Sequence, residues 1–153
     1  MARKKTGVRY LNVNYNVNEN KRTVACVLTA GINLDRLAYR EMLDGSDTFC
    51  RFMSKVNIES WENVETGEIN DFYTFQIVGF AVCDPDDKFD PELGKKIALT
   101  RAQQGAFDEA GGFYGFCEDC LLEAANRMAE LRENTDCSYF SCKDHANELA
   151  GKK

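Results

Sequence analysis

The chain has 153 residues, 44% of them apolar and 29% charged, enough for one globular domain with a real core and a small appendage. Its formal net charge of −6 counts against general duplex binding, which calls for a basic surplus, and favours a protein partner with a basic surface. No run approaches the roughly 18 apolar residues that span a bilayer, and the basic start Met-Ala-Arg-Lys-Lys-Thr-Gly has no apolar segment behind it, so no membrane partner and a cytoplasmic location are expected.

Residues 11–18 alternate Leu-Asn-Val-Asn-Tyr-Asn-Val-Asn, which predicts a strand with Leu11, Val13, Tyr15 and Val17 on one side and four asparagines on a wet face. Residues 18–22 are polar turn material, and Thr23–Ala30 is a second strand with Val24, Cys26 and Leu28 inward. The two make an antiparallel hairpin. Leu34–Leu43 reads as a helix with Leu34, Leu37, Ala38 and Met42 along one side, ended by Asp44-Gly-Ser-Asp47. Phe49, Phe52, Met53 and Val56 recur at helical spacing and predict a second short helix. Trp61 and Val64 precede a turn at Glu65-Thr-Gly-Glu68. Phe72–Cys83 is the longest apolar run and is expected to be the central strand, with Gly79 marking a bulge or a close contact.

A sharply acidic loop follows, with Asp84, Asp86, Asp87 and Asp90. Asp90 suits a helix N-cap, Pro91 the first helical position and Glu92 the first turn. This helix is expected to run to Ala110 and to stop at Gly111-Gly112. Phe113–Phe116 would be a linker, Glu118–Glu133 another helix, and Lys143–Leu149 a last turn or two. The fold class is therefore α+β: a three- or four-stranded antiparallel sheet packed by a long helix, with a C-terminal helical extension. Residues 1–112 form the core domain with an insertion at 34–70, and 113–153 the appendage.

Seven cysteines in a chain expected in a reducing compartment read as thiols or metal ligands before disulfides. Cys26, Cys50 and Cys83 lie in apolar runs and suit the core. Cys117-x2-Cys120 and Cys137-x4-Cys142, with His145 as alternate ligand, have spacings that could supply a tetrahedral structural zinc. The competing reading packs the first pair as apolar residues on one helix face. Catalysis is hard to place, with a single histidine and no nucleophile elbow, phosphate loop or dinucleotide fingerprint. A non-enzyme is expected.

Thr23-Val-Ala-Cys-Val-Leu28, Gly79-Phe-Ala-Val-Cys83, Pro85, Asp87, Asp90-Pro-Glu-Leu-Gly94, Ala98, Arg101 and Ala102 resemble the pattern of small bacterial and phage proteins of unknown function. Those proteins have a fold like that of double-stranded-RNA-binding domains. The resemblance covers residues ~8–30 and ~72–110, about half of the chain. It implies a phage or mobile-element protein. With the charge, it points to a non-catalytic binder of a host protein or ribonucleoprotein, such as an inhibitor of a nucleic-acid-processing or CRISPR nuclease. The contact residues would be Asp84, Asp86, Asp87, Asp90, Phe49 and Trp61. Lys95-Lys-Ile-Ala98 also resembles the phosphate-touching element of true RNA-binding domains, which implies the alternative of a nucleic-acid module using Lys95, Lys96, Arg101 and the arm Arg3-Lys4-Lys5. The acidic lead-in opposes a phosphate backbone within a Debye length, so the lysines also read as a solvated helix face and Arg101 as a partner of a loop aspartate. A zinc-stapled structural accessory protein is the third reading.

Overall fold

The computed structural model describes residues 6–37 and 39–151. Ala38 and the arm Arg3-Lys4-Lys5 lie outside them. The elements are β1 (Val8–Asn18), β2 (Thr23–Asn33), a 3-10 turn (Leu34–Arg36), α1 (Tyr39–Gly45), α2 (Asp47–Met53), β3 (Asn57–Glu62), β4 (Ile69–Val82) and α3 (Pro91–Leu149). The architecture is α+β. Four antiparallel strands lie in the order β1-β2-β4-β3, and α3 crosses one face.

Period-two patterning puts Val24, Cys26, Leu28, Ala30 and Ile32 of β2 on the helix side, each fully buried. Burial of a Val, Leu or Ile side chain contributes about 1.5–3 kcal/mol, so β2 is the spine of the core. β4 lies beside it over its whole length, Thr23 opposite Val82 and Asn33 opposite Phe72. The helix side of β4 is therefore Tyr73, Phe75, Ile77, Gly79 and Ala81. No bulge occurs at Gly79. An ideal Cβ there would lie 2.0 Å from the Ala98 carbonyl oxygen and 2.6 Å from the Ala102 nitrogen, so glycine is what lets the backbone of α3 sit down on the strand. Ala98, Ala102 and Ala106 continue this close contact and are fully buried.

The irregularity sits instead in β1. Tyr10 pairs with Ala30 and Asn12 with Thr29, leaving Leu11 as the extra residue. The alternation read from the sequence therefore breaks there. Leu11 turns to the uncovered face, against Gly31, while Val13, Tyr15 and Val17 keep the helix side. The asparagines at 12, 14, 16 and 18 are exposed, as expected.

The segment between β2 and β4 closes the far end of the core. Ser46 caps α2 by accepting from the Phe49 N–H at 3.2 Å. Phe49 and Met53 then pack with Ile32, Leu34, Tyr73, Phe113 and Cys117. β3 is an added edge strand with every residue exposed. Polar cross-strand pairs hold it: Asn57 Nδ2 donates to Thr74 Oγ1 at 2.7 Å, and Ser60 Oγ to Asp71 Oδ1 at 2.6 Å.

α3 begins as its sequence predicts. Asp90 accepts from the N–H groups of Glu92 and Leu93 at 3.0 and 3.2 Å, and Pro91 takes the first helical position. It does not end at Gly111-Gly112. The helix runs unbroken for 59 residues, so the expected linker and separate C-terminal helices are one element with it. Two glycines cost a helix about 1 kcal/mol each, and no proline or left-handed residue stops the chain there. Ala110, Phe113, Cys117 and Cys120, buried on one face against α1 and α2, carry the helix past that weak point.

Candidate interaction surface

The acidic loop is built on Arg22, a residue of the hairpin turn held at φ 54. Its guanidinium donates to the carbonyl of Pro85 at 2.7 Å, to the carbonyl of Asp87 and to Cys83 Sγ at 3.3 Å. Within the loop, Asp86 N–H donates to Asp84 Oδ1 and Asp87 N–H to the Asp84 carbonyl, both at 3.1 Å. Asp90 is committed to the helix cap. Asp84, Asp86 and Asp87 are exposed carboxylates on a fixed backbone. Below them, between β4 and the first turns of α3, lies a cavity of about 380 Å³. Val24, Ala81, Phe89, Leu93 and Ile97 give it an apolar lining, and Asp84, Asp87 and Asp90 an acidic rim.

The three cations of the nucleic-acid reading do not share a surface. Lys95 pairs with Glu92 at 2.8 Å and lies 5.9 Å from the centre of the Tyr15 ring, on the β1 flank of α3. Arg101 reaches to the β4 flank and donates to the Phe80 carbonyl at 2.6 Å. It is not paired with a loop aspartate. Lys96 is exposed.

Phe49 and Trp61 separate as well. Phe49 is fully buried, stacked on Phe116, so it is a core residue and presents nothing to a partner. Trp61 is 43% exposed on β3, with its indole N–H donating to Glu59 at 3.1 Å. Nearby, Asp71 accepts from Ser60 and from Tyr39 (2.7 Å), and these two hydrogen bonds hold its carboxyl below the usual range.

The C-terminal cysteines are not brought together. Cys117 and Cys120 are buried in the core, and burial, with Cys120 adjacent, pushes the Cys117 thiol up to about 11. Cys137 and Cys142 are exposed on the same helix farther along. At 1.5 Å rise per residue, Cys137 stands about 25 Å beyond Cys120. The four cysteines thus stand as two pairs at different points along α3, one buried and one exposed. Among the described residues, no group of three or more His, Cys, Asp or Glu side chains is placed to share an ion. His145, exposed, has Glu148 Oε2 at 3.8 Å.

Beyond Cys120, α3 leaves the body. From Leu121 to Gly151 every residue but Ala124 is exposed, and 29 helical residues project for about 43 Å. Leu121, Ala125, Met128, Tyr139, Cys142, Ala146 and Leu149 follow one stripe at alternating three- and four-residue spacing, interrupted by Arg132 and Thr135. Leu121–Leu149 holds six acidic and three basic residues, so this arm carries −3, half of the chain's formal −6. Sequence alone hides it because Gly111-Gly112 reads as a helix stop. The unbroken absence of proline after Pro91 was the available signal.

No helix of the described residues is long and apolar enough to cross a membrane. Comparison with protein-family models, curated proteins and solved structures found no match.

Proposed function

We propose that this is a non-catalytic binding protein whose acidic helical arm engages a macromolecular partner through a basic surface. The observation that carries the reading is the arm itself: a helix with an apolar stripe and a net charge of −3, exposed at every residue but Ala124 among the described residues. Helices of this length draw most of their stability from a packed face, so an unpacked stripe calls for an external one. The charge selects that partner, because opposite fields speed encounter and like ones are turned away. Nucleic-acid-processing machines, CRISPR nucleases among them, have basic channels that suit such an arm. A host complex of that kind is the specific version of the proposal, with a phage or mobile element as the source. The lone histidine, exposed on the arm, supports a role without bond chemistry. Kinship of the body with double-stranded-RNA-binding domains is likewise a proposal, supported by the antiparallel sheet with a helix across one face. The nucleic-acid reading gains nothing from the placement of Lys95 and Arg101 on opposite flanks.

The test is affinity capture from host lysate with the full chain and with a neutralised arm (Glu123→Gln, Glu130→Gln, Glu133→Gln, Asp136→Asn). Proteins retained by the native arm, released by salt and lost with the variant are the expected result. Identical recovery by both, or nothing above background, overturns it.

A further inference from the structure

We infer that the free edge of β4 receives an extended peptide from another protein, one that alternates apolar residues and carries basic residues at its N-terminal end. β3 pairs with β4 only as far as Thr74, and from Gln76 to Val82 no strand of the described residues lies on that side. The outward main-chain groups follow from parity. Cys83 N–H donates to the Arg22 carbonyl on the β2 side, so odd-numbered residues face β2 and Gln76, Val78, Phe80 and Val82 aim N–H and C=O at the open edge. Among these, the Phe80 carbonyl has a partner, the Arg101 guanidinium.

Native edges are normally blunted by a charge, a proline or a bulge. Residues 75–82, Phe-Gln-Ile-Val-Gly-Phe-Ala-Val, contain none of the three. Val78, Phe80 and Val82 are 47, 56 and 72% exposed, and Leu93 and Ile97 of α3 overlook the same edge beside the cavity. Strand addition needs three things: unpaired main chain, pockets for alternate side chains and a length limit. The edge supplies the first and the cavity under the acidic loop the second. The limit comes from Asn57, where β3 begins opposite Thr74, and from the loop after Val82. That leaves room for about seven residues, some 23 Å.

An added strand collinear with β3 runs antiparallel to β4 and starts opposite Val82. Its N-terminal end then meets the exposed carboxylates of Asp84 and Asp87, which fixes where the partner's basic residues belong. The groove lies at the opposite end of α3 from the arm, so either surface can fail without the other.

The probe is a fluorescent peptide, Arg-Lys-Val-Thr-Val-Thr-Val-Thr, titrated against the full chain and followed by anisotropy. Saturable binding is expected, weakened about tenfold or more when the edge-facing amides are N-methylated, roughly one hydrogen bond's worth. Ile97→Lys weakens it by placing a like charge in the apolar groove beside the peptide's basic end. Replacing Arg-Lys in the peptide by Glu-Glu weakens it too. Arg101→Ala tightens it severalfold, because it removes the internal competitor for the Phe80 carbonyl, an effect a merely structural arginine would not give. No saturable binding, or indifference to N-methylation, overturns the inference. So does a dimer in sedimentation that Val78→Pro dissolves, since a second copy would then be the occupant.

Discussion

Gly79→Ala tests the tightest glycine site among the described residues. The added Cβ would meet two backbone atoms, the Ala98 oxygen at 2.0 Å and the Ala102 nitrogen at 2.6 Å, and ordinary contact begins near 3.4 Å. Neither atom can rotate away, so α3 must retreat by about 1.4 Å at that point. A gap of ~0.5–1 Å already forfeits a quarter to a half of a dispersion well, and the retreat is felt along Ala98, Ala102 and Ala106. Overpacking usually costs about 1–3 kcal/mol; with rigid backbone on both sides we expect about 3–5 kcal/mol. With an m-value of about 2 kcal/mol/M, the urea midpoint falls by roughly 2 M. Gly112→Ala is the opposite-signed control. Nothing lies within 4 Å of its Cβ, and alanine in a helix interior should stabilise by about 0.5–1 kcal/mol. A loss below about 1 kcal/mol for Gly79→Ala would refute the reasoning that the sheet and helix touch backbone to backbone.

Thiol titration of the native protein should modify Cys50, Cys137 and Cys142 quickly, Cys83 more slowly, and Cys26, Cys117 and Cys120 only on denaturation; protection of Cys137 and Cys142 that a chelator removes would instead show them holding a metal. Burial, with the hydrogen bond to Glu109, pushes Tyr73 up to about 12. Its folded value is raised, so its contribution to stability is complete below pH 10 and is lost as pH rises towards 12, about 3 kcal/mol in all, which Tyr73→Phe should abolish in alkaline urea titrations. Asp71 behaves in the opposite sense: its folded value is lowered, so its contribution is complete above the ordinary carboxylate range and fades as pH falls below it, and Asp71→Asn should flatten the acid limb of the stability curve. Arg22→Ala removes the ties to Pro85 and Asp87 and should cost about 1–2 kcal/mol, with faster amide exchange confined to residues 84–88 as the readout.

The parts of the fold legible in the sequence are those written in hydrophobic period or cap chemistry. β2 declared itself through Val24, Cys26 and Leu28, α3 through Asp90-Pro91-Glu92, and α2 through Phe49, Phe52 and Met53. β3 was not legible because Asn57–Glu62 is bound by polar side chains and main chain, without an apolar face. Gly111-Gly112 misled because a local penalty was outweighed by packing of Phe113, Cys117 and Cys120 on residues far away in sequence. The bulge at Leu11 left the alternation visible but turned one residue over. Of the candidate contact residues, the loop aspartates are exposed as read, while Phe49 went to the core because aromatic character alone does not tell a surface anchor from a packed ring. Arg22, which holds the loop, looked like ordinary turn polarity; its role depends on a residue 63 positions away.

A single rod joins the body to its arm, and this has a mechanical outcome. The seated part, Pro91–Cys120, and the free part, Leu121–Leu149, are almost equal in length, so a load applied near Tyr139 or Phe140 is passed along one rod to the sheet. The glycines Gly111, Gly112 and Gly115 lie within the seated part, where buried Phe113, Cys117 and Cys120 hold the helix, so the rod emerges from the body at Cys120. Bending beyond Cys120 lets the tip follow a moving target while the alanine seam over Gly79 stays seated.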